Sequence, residues 1–174
     1  SPGPSASEGR LRYEDALGAK LMTIDFVNLE PVLDLVPAAA LSVNGTAGDN
    51  AINYTQGSVP ANGLVTIDNF ESIEFSNKTT LTINAGNGDD TINLNNPNTP
   101  TGLTDITVNS GDPTGSDTLI VNGTTATDTV TYTPSSLGGG LVTVTGLPGV
   151  SFSGTESLTI NGQSGADTVQ LGVP

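Results

Sequence analysis

The sequence predicts an all-β protein, a right-handed parallel β-helix (solenoid) of stacked coils, with a β-sandwich as the alternative. Three observations point there. A pattern of two short runs around a glycine-rich turn recurs along the chain. Within each run apolar and polar residues alternate with the period of a strand. No window carries a convincing helical apolar period, and 22 glycines with 11 prolines work against long helices.

From the N-terminus, residues 1–20 read as a tail or linker. Residues 1–9 are Pro-, Gly- and Ser-rich, and 10–20 stay open between a turn of helix and an irregular coil. Residues 21–174 form the repetitive domain. Its clearest copy runs Leu81-Thr-Ile-Asn-Ala-Gly-Asn-Gly-Asp-Asp-Thr-Ile-Asn-Leu94. Forty residues earlier stands Leu41-Ser-Val-Asn-Gly-Thr-Ala-Gly-Asp-Asn-Ala-Ile-Asn-Tyr54, and seventy-seven later Leu158-Thr-Ile-Asn-Gly-Gln-Ser-Gly-Ala-Asp-Thr-Val-Gln-Leu171. A copy with a longer turn spans Ile106 to Val121. Another spans Leu119 to Tyr132, so that its first strand is the last strand of the copy before it.

A second segment precedes several copies. Leu64-Val-Thr-Ile-Asp-Asn-Phe-Glu-Ser-Ile-Glu-Phe75 matches Leu141-Val-Thr-Val-Thr-Gly-Leu-Pro-Gly-Val-Ser-Phe152, and Leu21 to Val32 is a looser version. Blocks 43–94 and 121–171 are therefore equivalent, with 95–120 inserted as an extra coil. Equivalent strands joined by equivalent turns let like residues stack above one another, which favours coils over the antiparallel hairpins of a sandwich. Hydrophobic residues make up only 34% of the chain, which suits a thin core. The last motif runs to the end without a polar cap, so the sequence reads as a piece of a longer repetitive protein or as a subunit that stacks end to end.

Charge narrows the function classes. The formal net charge is −14, and Arg10, Arg12 and Lys20 leave Lys78 as the sole basic residue beyond position 20. Such a surface repels nucleic acid and anionic membranes and attracts cations. No apolar run approaches the ~20 residues of a membrane-spanning helix, so no membrane insertion is expected. Cysteine and histidine are absent, which removes thiol chemistry and imidazole catalysis. A polysaccharide-degrading β-helix enzyme, the rival from another class, would need cationic residues or a suitably spaced carboxylate pair. Asp89 and Asp90 are adjacent, and neighbours on a strand point to opposite faces. The chain is read as non-enzymatic.

The turns carry a resemblance. Ala85-Gly-Asn-Gly-Asp-Asp-Thr-Ile92 and Gly162-Gln-Ser-Gly-Ala-Asp-Thr-Val169 resemble, in degenerate form, the RTX (hemolysin-type) calcium-binding nonapeptide. Segments such as Glu156 to Val169 and Val121 to Val130 are similar to β-rich repeat modules of large secreted bacterial surface proteins. The resemblance implies calcium as a bound ion and an extracellular or cell-surface location. Stacked coils would bring Asp89, Asp90, Asp117, Asp128 and Asp167 together as its ligands. Two readings stay open: calcium held between turns, or Asp and Asn fixing the turns with their charge toward water.

The function expected is that of a structural or adhesive repeat module, calcium-stabilised and able to stack end to end into fibres. Its partners would be copies of itself or neighbouring repeats. A carbohydrate-binding β-sandwich is the alternative, but Tyr54 and Tyr132 occupy core-type positions rather than an exposed platform. Four Asn-x-Thr triplets (Asn44, Asn53, Asn77, Asn122) keep a glycan among the partners, although so Asn- and Thr-rich a chain yields them by chance.

Overall fold

A computed structural model of the chain describes residues 5, 8–15, 17–29, 31–111 and 115–173, and every regular element among them is a strand. Strands β1 (Glu8–Glu14) and β2 (Lys20–Val27) form an antiparallel hairpin of their own. Residues 10–20, open between helix and coil in the sequence, thus supply most of a strand and the turn after it. There follow β3 (Val32–Asp34), β4 (Ala38–Asn44), β5 (Ala51–Gln56), β6 (Gly63–Ile67), β7 (Ile73–Phe75), β8 (Lys78–Gly86) and β9 (Thr91–Asn95). The second half adds β10 (Asp105–Gly111), β11 (Thr118–Asn122), β12 (Thr129–Ser136), β13 (Gly139–Val144), β14 (Gly149–Ser153), β15 (Ser157–Asn161) and β16 (Thr168–Leu171).

These build two seven-stranded sheets. One runs β15-β11-β9-β5-β6-β7-β3, the other β16-β12-β13-β14-β10-β8-β4. Within the second, Leu41, Leu81 and Ile106 stand side by side, as do Val43, Ile83 and Val108. Within the first, Ile52, Ile92 and Leu119 align, followed by Tyr54, Leu94 and Val121. Alternate residues of each strand therefore point into one shared core, in which Ile52, Leu81, Ile83, Ile92, Val108 and Leu119 are fully buried. Burying one such side chain stabilises by about 1.5–3 kcal/mol.

The expected right-handed parallel β-helix is overturned. Both large sheets are mixed: β5–β6–β7 and β12–β13–β14 are antiparallel meanders set among parallel pairs. The two layers face each other and do not close, which agrees with the β-sandwich alternative. The reason lies in the second repeated segment. Its strand-bend-strand pattern reverses the chain within one sheet instead of carrying it round a coil. Asp68 (φ 45°) bends one copy and Gly146 (φ 79°) the other. An alternating strand has the same residue pattern in either pairing, so periodicity alone did not separate them.

Each meander is closed by the same device. Tyr54 and Phe75 lie with ring centroids 6.3 Å apart, and Tyr132 and Phe152 with centroids 6.0 Å apart. Between each pair passes a glycine. A Cβ on Gly63 would lie 2.8 Å from the Tyr54 ring and 2.9 Å from Phe75, and one on Gly140 would lie 2.5 Å from Tyr132. No larger residue fits under the rings.

Strand β11 serves two repeats, ending one and opening the next. First strands of the motif thus lie in one sheet through β10 and in the other from β11 onward. That shift decides where the turns, and their acids, fall.

Candidate functional site: the carboxylates of the turns

Two of the motif turns are tied locally by a hydroxyl and a side-chain carbonyl or carboxylate. The Thr46 amide donates to Asn50 Oδ1 (2.7 Å), and the Thr124 amide donates to Asp128 Oδ2 (2.7 Å). The Gly48 and Ala126 amides donate to the hydroxyls of Thr46 and Thr124. Asp, Asn and Thr here supply acceptors that a tight turn's amides need.

The acids then link one copy to the next. The Asn50 amide donates to Asp90 Oδ1 (2.8 Å), the Asp90 amide to Asp117 Oδ1 (2.8 Å), and the Asp117 amide to Glu156 Oε2 (2.9 Å). The main chain runs alongside: the Thr91 amide donates to the Asn50 carbonyl and the Thr118 amide to that of Asp90. A second line has the opposite sense. The Ser116 amide donates to Asp89 Oδ1 (3.0 Å), and the Asp89 amide to Asp49 Oδ1 (2.9 Å). Hydrogen bonds to a carboxylate are the stronger kind, about 1.5–3 kcal/mol each.

Asp90 and Asp117 are the most enclosed members, with 1% and 0% of their surfaces exposed. The Asp90 Oδ2 is buried with no hydrogen-bond partner. Asp68, across the turn, accepts the Ala51 amide (2.7 Å) and the Asn50 side-chain amide (2.8 Å). Burial pushes the Asp90 carboxyl pKa up. The Asn50 amide opposes the rise, and the charges of Asp117, Asp49 and Asp68 add to it.

The five acids named from the sequence do not form one group. Asp89, Asp90 and Asp117 line the rim where the chain crosses from β8 to β9 and from β10 to β11. Asp128 and Asp167 lie on the other rim, where it crosses back from β11 to β12 and from β15 to β16, and there the Asp128 amide donates to Asp167 Oδ1 (3.0 Å). The shift at β11 causes this division. Asp90, Asp117 and Asp128 are buried, Asp167 is half-buried and Asp89 is exposed. Among the described residues no group of three or more His, Cys, Asp or Glu side chains is arranged to hold a metal ion.

Several polar residues escaped the sequence reading. Asn84 donates to Asn44 (2.8 Å) and Asn109 to Asn84 (2.7 Å), a side-chain ladder across one sheet. Asn122 donates to Asn93 (2.8 Å) and Asn161 to Asn122 (2.9 Å), a second ladder across the other. The shared position of Asn in every motif was their signal. Lys78, 2% exposed, pairs with Asp34 (3.2 Å) and donates to the carbonyls of Asp34, Val36 and Ser76. Glu74 accepts from Asn62 and Ser58 (both 2.6 Å); burial pushes its carboxyl up, but those bonds prevail and hold it below the usual carboxylate range.

Compared with family models, with curated proteins and with solved structures, the chain matches none of them.

Proposed function

We propose that this chain is a non-enzymatic structural or adhesive repeat module of an extracellular or bacterial cell-surface protein, able to associate with copies of itself. One observation carries the reading. The side chains that recur in every motif spend their polar atoms on the neighbouring copy, as asparagine ladders across both sheets and carboxylates along the rim. Bonds in that direction resist separation of strands, the property a spacer or matrix element requires. Tyr54 and Tyr132 turn their rings onto Phe75 and Phe152 inside the molecule, which speaks against a sugar platform built on them.

Calcium enters this reading as a stabiliser of the Asp89, Asp90 and Asp117 rim. Its support is the anionic density there and the unpartnered Asp90 Oδ2. Melting with calcium and then with chelator tests it: a higher Tm with the ion is expected, and an unchanged Tm retires the ion. The main reading is tested by sedimentation velocity across a wide concentration range, with an assay for cleavage of acidic polysaccharides. Elongated species that grow with concentration are expected. A compact monomer throughout, or release of unsaturated sugar ends, overturns the proposal.

A further inference from the structure

Both large sheets finish in strands of the same direction at their two ends. In one sheet β16 runs parallel to β12, the two reversals through β13 restore that direction at β14, and β10, β8 and β4 keep it. In the other, β15, β11, β9 and β5 agree, and two reversals through β6 restore the direction at β7 and β3. A second copy displaced along the sheets therefore presents β4 to β16 and β3 to β15, both in parallel sense.

The two ends also differ in the right way. At the β15/β16 end the core is open. Val169 and Leu171 stand beside Val130 and Tyr132 on the core-facing side, yet are 57% and 80% exposed. Leu158 and Ile160 of β15 join them, only partly buried. At the β3/β4 end lies a cavity of about 1460 Å³ between the β1–β2 hairpin and the sheet edges. Leu41, Val43, Val65, Ile67, Phe70 and Ile73 supply apolar lining. Charged residues of both signs line it as well, and Arg10, Arg12 and Lys78 are paired there with Asp25, Glu14 and Asp34.

We infer that β16, with Val169 and Leu171, docks into the cavity at the β3/β4 end of a second copy, head to tail, extending both sheets at once. This rests on the self-association proposed above and names its surfaces. An edge strand with unpaired amides and carbonyls is a template for such addition. Apolar residues of the donor continue the acceptor's core. A head-to-tail contact that does not close on itself propagates as an open filament.

The chain has no cysteine, so introduced thiols report the contact cleanly. Gln170→Cys and Ser42→Cys are both exposed, on the outward side of β16 and β4. Oxidising a mixture of the two single variants is expected to give the mixed disulfide dimer, and the double variant a ladder of covalent oligomers. Homodimers from either single variant alone, in place of the mixed species, overturn the assignment. Val169→Asp and Leu171→Asp change exposed side chains and are expected to leave the fold intact while shifting sedimentation to monomer, with at least tenfold weaker association. Assembly that survives both substitutions defeats this docking while self-association stands; a wild-type chain that never assembles defeats both. Anilinonaphthalene sulfonate fluorescence should fall as assembly fills the cavity. Undiminished fluorescence in assembled material gives the cavity to a small apolar ligand and overturns the inference.

Discussion

The meanders β5–β6–β7 and β12–β13–β14 are copies of one segment placed in opposite sheets, and they are braced by different chemistry. Each has its tyrosine, its phenylalanine and the glycine between them. Around the first, Glu74 is buried and bonded to Asn62 and Ser58, whereas Ser151, its counterpart, is exposed. Lys78, which reaches Asp34, is replaced by Thr155, whose hydroxyl meets that of Ser110 at 2.7 Å. Asn50 and Asp68 pair across one turn; in the other, Asp128 and Thr145 take their places. The apolar and glycine positions set the shape and are kept. The polar ones answer to their surroundings. The first meander adjoins the edge strand β3, where three carbonyls converge on Lys78, and the second adjoins the edge strand β16.

Substitutions can break or sharpen that contrast. The largest effect is expected at the shared aromatic: Phe75→Ala should cost about 3–5 kcal/mol in urea unfolding. Phe152→Ala should cost less than Phe75→Ala, because Phe152 keeps 7% exposure against none for Phe75. Equal losses would mean that the two cores are equivalent after all. Lys78→Ala should follow at roughly 3 kcal/mol, since it strands the buried Asp34 carboxylate. Thr155→Ala, which breaks only a neutral pair, should cost about 1 kcal/mol. Asn122→Ala removes donations to Asn93 and Leu94 and the acceptor of Asn161, for about 1–2 kcal/mol.

The smallest effect should have the opposite sign. Asp90→Asn should stabilise by about 1 kcal/mol at neutral pH, because it removes a buried charge and keeps an oxygen for the Asn50 amide. Asn50 holds the equivalent turn position in the preceding copy. Asp90 has a raised folded pKa, so its contribution is complete below the unfolded value and is lost as pH rises through the folded one. Glu74, held low, contributes above its unfolded value and loses that contribution as pH falls through the folded one. Stability profiles of Asp90→Asn and Glu74→Gln should therefore flatten on opposite limbs. Profiles that flatten on the same limb would contradict the burial and bonding assigned to one of the two acids.

Much of this arrangement was legible in the residues. The columns Leu41–Leu81–Ile106 and Ile52–Ile92–Leu119 follow from aligned repeats, and the strands fall where alternation put them. Reversal inside 64–75 and 141–152 was not, because parallel and antiparallel strands want the same alternation. The glycine run 138–140 and the Pro-Ala-Asn before Gly63 were the available signs of tight turns. The acids were correctly placed in turns, but their rim depends on which sheet each turn leaves. The sharing of Leu119 to Asn122 by two repeats was legible, but it fixes the rim of each acid only once the repeats are known to alternate between two sheets.

That shared strand works on the architecture as a frameshift works on a message. Adding a full motif lengthens the stack and leaves every later residue on its own side; adding a single strand exchanges the sides for all that follows. By borrowing β11 twice, the chain sets Asp90 and Asp117 along one flank and Asp128 and Asp167 along the other. These four acids are thereby divided between two borders, where one would have gathered the whole of their mutual repulsion.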